Sequence, residues 1–207
     1  MEAVKTSSPL SEVDQFLDWR ALGLAPVRDA LERPFEWAID MPETEFDLMG
    51  EIPAGVRRRW HPIANQFYLY WRAKRDAAGG APDRAEIDPL LEIPLLCPHI
   101  CIFEPSATHV DPQDWFCRLM GTHVEQALGF SLNGRRVLEF YPDPSREQIR
   151  RYGRVARDLR ISHRSGPSRT KVEERVGRVE SLYLPITDRR RGAPAAFGVA
   201  VYQWIRA

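Results

Sequence analysis

Residues 115–135 read WFCRLMGTHVEQALGFSLNGR, and this stretch decides the fold. Its first six residues are apolar enough to predict a strand. Thr122 followed by Glu125 has the spacing of a capping box, which predicts the start of a helix, and Gly129 is expected to end that helix after two turns. Asn133-Gly134 then predicts a turn. A strand, a short helix and a turn in this order indicate a small sheet with short helices.

Two longer helices lie on either side of this stretch. His61-Pro62 predicts the start of the first, which ends at Gly79-Gly80. Pro144 and Ser145 begin the second, which is expected to continue to about residue 160. In this second helix most of the exposed positions are arginines. Its predicted buried stripe consists of Ile149, Tyr152, Val155, Ala156 and Leu159.

Further strands are expected before and after these helices. Ile100–Phe103 is a brief apolar run that suits a strand paired with residues 115–120. The last fifty residues predict three antiparallel strands, the first around 170–174 and the second over 178–184, ended by Pro185. Residues 196–205 are nearly all apolar, which predicts a central strand.

Seven short sequence words and their spacing give the sequence a family resemblance. The words are Tyr70-Trp71-Arg72, Ile87-Asp88-Pro89, Leu95-Leu96-Cys97-Pro98-His99, Arg118-Leu119-Met120-Gly121-Thr122, Leu128-Gly129 through Leu132-Asn133-Gly134-Arg135, Leu184-Pro185-Ile186 and Gly198-Val199-Ala200-Val201. Through them, residues 63–205 resemble a bacterial family of single-domain PAS proteins. The resemblance implies an α+β PAS fold, a five-stranded antiparallel sheet with helices packed on one face. We therefore expect a PAS domain over 61–207, preceded by an N-terminal appendage over 1–60.

The appendage is acidic and partly helical in prediction. Val13, Phe16 and Leu17 recur at helical spacing. Such a helix packs either on its own domain or on its copy in a dimer. The resemblance implies that a helix before a PAS core forms a dimer contact, so we expect a homodimer that uses these three residues. Residues 26–55 mix prolines with large apolar side chains, which predicts an extended segment packed on another part of the protein.

The formal net charge is zero, with 29 basic and 29 acidic residues, but the charges are unevenly distributed. Residues 1–56 carry −8 and residues 145–171 carry +7. We expect the acidic appendage to lie against the basic helix region, within one chain or across a dimer. Arg150, Arg154 and Arg157 on that helix are candidate dimer or partner contacts. A nucleic-acid partner is not expected, because no aromatic side chains interleave with these arginines and the chain as a whole is neutral.

Several other classes of function are excluded at this point. The sequence has no nucleophile elbow, no phosphate-binding glycine loop and no HExxH motif, so we do not expect an enzyme. Cys97 and Cys101 are separated by Pro98 and have only His99 nearby as a further ligand, so no metal site is predicted. There is no apolar signal core and no apolar run of membrane-spanning length, so we expect a cytoplasmic protein without a membrane partner.

The resemblance implies a sensory or adaptor module acting on an unidentified signalling protein, with no cofactor assigned. We expect a small organic ligand in the core and interpret Arg118 or His123 as its polar anchor. A ligand-free adaptor with a filled core is the alternative. Haem is a further alternative, with His123 or His163 as the axial ligand, but it is not expected. Flavin photochemistry of the light-sensing PAS type would need a suitably placed cysteine. The candidate, Cys117, lies on a predicted strand, which is the wrong element, so flavin is not expected either. The candidate cavity wall consists of Trp115, Cys117, Leu119, Tyr152, Val155 and Tyr183.

Overall fold

A single antiparallel sheet organises the part of the chain that the structure describes. The computed structural model describes residues 40–106, 115–140, 145–168 and 176–204. Within them, seven strands form one sheet in the order β1-β5-β6-β7-β2-β3-β4. The strands are β1 Met41–Asp47, β2 Ile100–Pro105, β3 Trp115–Met120, β4 Arg135–Arg136, β5 Arg160–Pro167, β6 Val176–Asp188 and β7 Ala193–Trp204. The α-helices are α1 Ala54–Arg57, α2 Pro62–Ala78, α3 Pro89–Glu92, α4 Thr122–Leu128 and α5 Ser145–Ala156.

The predicted fold class is confirmed. Strands β2, β3, β6 and β7 correspond to four predicted strands. Strand β5 lies in a segment for which no strand was predicted and completes a five-stranded antiparallel sheet, which β1 and the short β4 extend at its two edges. Helices α4 and α5 pack on one face, while α2 covers the opposite face. Strand β7 is central, and its alternate residues face the two layers: Phe197 and Val199 face α2, and Ala196 and Ala200 face α5. Burial of both faces explains why this strand is continuously apolar.

Helix α2 has the ends that the sequence predicts. The His61 side chain accepts a hydrogen bond from the Ile63 backbone N–H at 3.2 Å, which caps the first turn. Gly79 ends the helix with a φ of 67°, a left-handed conformation that glycine adopts without strain. The Trp71 indole N–H donates to the Pro185 carbonyl at 2.9 Å and thereby ties the helix to β6.

Helix α4 begins differently from the prediction. Gly121, rather than Thr122, is its N-cap, and no side chain caps the helix. A Cβ on Gly121 would lie 2.3 Å from the Cys97 carbonyl oxygen, so the close approach of two backbone segments requires glycine there. Glu125 therefore forms no capping box. Its carboxylate instead accepts a hydrogen bond from Asn133 Nδ2 at 2.7 Å, which fixes the predicted turn after the helix.

Two predicted boundaries are wrong. Helix α5 ends at Ala156, and Leu159, predicted to be buried, is 37% exposed with a φ of 53°. Strand β6 does not end before Pro185 but continues to Asp188. Its pairing with β5 reaches only to Tyr183, so the missing N–H of Pro185 lies where β6 has only β7 as a partner.

Part of the predicted appendage belongs to the same sheet. Strand β1 pairs with β5, and the side chains of Ile52 and Trp60 lie in the core. The predicted helix with Val13, Phe16 and Leu17, and the strand predicted at 170–174, lie outside the described residues.

The acidic residues of 40–47 contact arginines from the second half of the chain. We call Asp40, Glu43, Glu45 and Asp47 the acidic edge. Glu43 Oε1 lies 2.6 Å from Arg154 Nη2, in a half-buried ion pair. These contacts agree, for residues 40–47, with the expectation that the acidic appendage lies against the basic region. The other three residues of the acidic edge also pair with arginines: Asp40 with Arg178, Glu45 with Arg154 and Arg160, and Asp47 with Arg160.

Candidate ligand-binding site

A cavity of about 240 Å³ lies between α5 and the sheet. Its inner half is apolar, and its outer half carries polar and charged groups. Glu147 lies at the exposed end, which marks the mouth of the cavity. The apolar half is lined by Cys101, Phe103, Met120, Val124, Leu128, Leu132, Val179 and Ala200. The polar half is lined by Glu43, Glu147, Gln148, Arg151, Arg164, Ser168 and Ser181.

Of the predicted wall residues, Tyr152 and Tyr183 line this cavity. Trp115, Cys117 and Val155 are fully buried in the same apolar cluster, behind the lining side chains. The structure thus brings five of the six predicted wall residues together, two of them at the cavity surface.

A β-bulge in β3 turns Leu119, a predicted wall residue, away from the cavity. Ile102 pairs with Leu119 and Phe103 pairs with Cys117, so Arg118 is an extra residue in β3. The bulge reverses the alternation of side chains, and Met120 faces the cavity instead of Leu119. Arg118, a predicted anchor, does not line this cavity: its side chain is 38% exposed, and its Nε donates to the Glu104 carboxylate at 3.3 Å.

The two histidines considered as anchors or haem ligands also lie outside the cavity lining. His123 Nε2 accepts the Tyr202 backbone N–H at 3.2 Å, and its ring lies 4.2 Å from that of His99. His163 is on the opposite face of the sheet, because β5 turns alternate side chains to opposite faces. There it stacks on Trp60 and contacts Glu180 at 3.0 Å.

The main polar group in the cavity is Arg151, which lies on α5. Its side chain is 3% exposed. Nε and Nη1 donate to the hydroxyls of Ser162 and Ser181 at 2.7 and 2.8 Å, and Nη2 donates to the carbonyls of the same two serines. The guanidinium also lies over the Tyr183 ring, 4.6 Å from its centroid. Burial lowers the pKa of Arg151, but an arginine remains charged at neutral pH.

Aromatic rings form the floor of the site. Tyr152 stacks on Phe103 at 4.2 Å and meets Tyr183 edge to face at 5.2 Å. Gly198 leaves room for the Tyr183 ring, since a Cβ there would lie 2.3 Å from it. Burial raises the pKa of Tyr183 to about 12, so its hydroxyl stays protonated.

The cysteines offer little nucleophilic chemistry. Burial raises the pKa of Cys117 to about 12, which keeps this thiol protonated at neutral pH. Burial likewise raises the pKa of Cys101. Across the described ranges, no three His, Cys, Asp or Glu side chains are grouped so that they could hold a metal ion.

A second, more open cleft of about 540 Å³ lies beside α3 and the end of β3. Leu119 and Cys97 are among its lining residues. Two leucines of α3 beside this cleft are largely exposed: Leu90 is 73% and Leu91 is 72% exposed. Together they form an apolar surface patch.

Comparison with known proteins decides the family. A family model described as PAS domain matches residues 59–201, more than half of the chain. The chain belongs to the PAS-domain family. PAS domains are sensory and regulatory modules that are generally non-catalytic. No curated protein and no solved structure matches the chain. Within the described residues, no helix of this PAS protein is long and apolar enough to cross a membrane.

The site joins an apolar pocket to one buried cation. The pattern that marks Arg151 in the sequence is its position between Gln148 and Val155, three and four residues away on the same helix face. The serines that receive it belong to β5 and β6, which the sequence does not bring together. A pocket of this composition is suited to hold a small molecule, with the cation facing the molecule's polar end.

Proposed function

We propose that this PAS protein is a non-enzymatic sensor that binds a small organic molecule between α5 and the sheet and acts in trans on a separate signalling protein. The observation that carries the proposal is the cavity itself: an apolar interior with few polar groups, one of them a buried arginine. Ligand sites commonly have this composition.

The size of the cavity favours a small metabolite over a large cofactor. Its volume of about 240 Å³ is below the roughly 300–1,000 Å³ of sites for drug-sized molecules. Haem and flavin need a site at least as large as those of drug-sized molecules, and neither His123 nor His163 lines the cavity. The proposal therefore includes no haem, flavin or metal.

The test is native mass spectrometry of the purified chain, together with a matched pair of variants on β7. Ala200→Ile adds bulk to the cavity wall, while Ala195→Ile makes the same change on the opposite face of the same strand. A co-purified or added small molecule should bind to the wild type and Ala195→Ile and be lost in Ala200→Ile. If a folded wild type neither carries nor accepts any small molecule, the sensor proposal is wrong.

A ligand-free adaptor is the second candidate function. The exposed leucines Leu90 and Leu91 beside the larger cleft favour it, because contiguous apolar surface marks interaction sites. The two functions differ in one measurable respect. An adaptor should capture its partner equally well with Ala200→Ile and with the wild type, whereas a sensor should lose the dependence of capture on the small molecule.

A further inference from the structure

We propose that the cavity binds its ligand through a carboxylate held by Arg151, and that this carboxylate competes with Glu43 of β1. The inference rests on the proposed function, because it names the chemical class of ligand for the same cavity. Four of the five N–H groups of Arg151 donate hydrogen bonds to the described residues. They are the Nε–H, one N–H of Nη1 and both N–H groups of Nη2. The second N–H on Nη1 has no partner among these residues and belongs to a side chain that lines the cavity.

The charge of Arg151 is poorly compensated. Its hydrogen-bond partners, Ser162 and Ser181, are neutral. Glu43 is the acidic side chain paired with it among the described residues, with Oε1 3.6 Å from Nε, beyond hydrogen-bond distance. A buried charge is costly unless it is paired and hydrogen-bonded. An incoming carboxylate would supply both the missing charge and the missing acceptor.

Glu43 acts as an internal substitute for such a ligand. Met41 pairs with Ser165 and Thr44 pairs with His163, and the register shifts between these two pairs. Glu43 lies at this irregularity, from which its side chain reaches the cavity lining. Its carboxylate is shared between Arg151, Arg154 and the Ser162 hydroxyl.

Loss of the Glu43 contact would loosen only one part of β1. The strand pairs with β5 alone, as an edge strand. Glu45 and Asp47 hold its second half through Arg154 and Arg160. A carboxylate bound to Arg151 would leave Glu43 with only Arg154 and Ser162 as partners. Residues 41–43 should therefore be held less firmly while 45–47 stay attached, which gives the cavity a route to the protein surface.

The surroundings favour a monocarboxylate with an apolar body. A guanidinium donates hydrogen bonds to the oxygens of a carboxylate or a phosphate. Glu43 and Glu147 lie at the polar side together with Arg151 and Arg164, and the two acids repel a doubly charged phosphate more strongly than a monocarboxylate. The inner wall, with Phe103, Met120 and Leu128, suits a short aliphatic or aromatic chain.

The experiment is calorimetric titration of the full chain with phenylacetate, with its neutral amide phenylacetamide, and with phenyl phosphate. Phenylacetate should bind more tightly than the other two. Glu43→Gln removes the competing charge and should tighten phenylacetate binding by about tenfold, without tightening phenylacetamide binding. Glu45→Gln is the matched control on the same strand; it lies outside the cavity lining and should leave both affinities unchanged. Hydrogen exchange at residues 41–43 should increase with phenylacetate only.

Arg151→Lys keeps the positive charge and should preserve part of the preference for the acid, while Arg151→Gln should abolish it; circular dichroism checks that both variants fold. Equal binding of the acid and the amide, tighter binding of the phosphate, or an unchanged Glu43→Gln affinity would overturn the carboxylate inference and leave the sensor proposal standing. If the wild type binds no probe and carries no molecule, both are wrong.

Discussion

Lowering the pH from 7 to 5 should destabilise the protein through its histidines, most of which are half-buried. Burial, reinforced by the nearby His123, lowers the pKa of His61 to about 4 and that of His99 to about 3, from an ordinary value of 6.5. Burial also lowers the pKa values of His123 and His163. Below pH 6.5 the unfolded chain takes up protons that the folded protein does not. The free energy of unfolding therefore decreases as the pH is lowered, until the pH reaches the pKa values of the histidines in the folded protein.

The magnitude follows from the pKa values. One pH unit is worth about 1.4 kcal/mol for each histidine that is protonated only in the unfolded state. Between pH 7 and 5, His61 and His99 should each remove about 2 kcal/mol from the free energy of unfolding, or about 4 kcal/mol together. That is a large part of the roughly 5–15 kcal/mol typical of a domain. The lowered pKa values of the carboxyls of Asp83 and Glu92 affect stability only below this pH range.

Urea unfolding at pH 7, 6 and 5, followed by tryptophan fluorescence, measures this loss. The matched variant is His99→Gln, which keeps a polar side chain but cannot titrate. It should lose about 2 kcal/mol less than the wild type between pH 7 and 5. Equal unfolding free energies at pH 7 and 5, or a His99→Gln variant with the full pH dependence of the wild type, would refute the reasoning.

Three further predictions concern single positions or segments. Gly198→Ala should push the Tyr183 ring toward the cavity, cost about 1–3 kcal/mol and weaken ligand binding; an unchanged melting temperature would contradict it. Gly121→Ala should cost at least about 3 kcal/mol in urea unfolding, because its Cβ meets the Cys97 backbone, and a cost below that of Gly198→Ala would be inconsistent with the structure. Deleting residues 1–24 should convert the homodimer expected from the sequence into a monomer, as measured by light scattering. A dimer that survives the deletion would exclude the N-terminal helix as the contact.

Much of the fold could be predicted because local signals were strong. His61-Pro62 and Gly79 marked the two ends of helix α2 in the sequence. Strand β7 was apolar throughout, as a central strand requires. Strand β1 could not be predicted as a strand from its own sequence, because Met41–Asp47 alternates acids with few apolar residues. Its partners lie more than one hundred residues away, and only the opposite charges of the two segments indicated that they meet.

The site was predictable only in part. Strand alternation placed Trp115 and Cys117 in the correct cluster, but the bulge at Arg118 moved Leu119 to the other face, and no local pattern marks a bulge there. Arg151 looked like one more surface arginine. Its burial depends on the serine hydroxyls of two strands that follow it in the sequence, a long-range arrangement that helix periodicity does not contain.

A crystal structure of the full chain with phenylacetate tests the central claim most directly. We expect electron density in the cavity between α5 and the sheet, with a carboxylate oxygen within hydrogen-bond distance of Arg151 Nη1 and Glu43 turned away from it. A cavity filled by the rings of Tyr152 and Tyr183, or a molecule bound only in the cleft beside Leu90, would contradict the account.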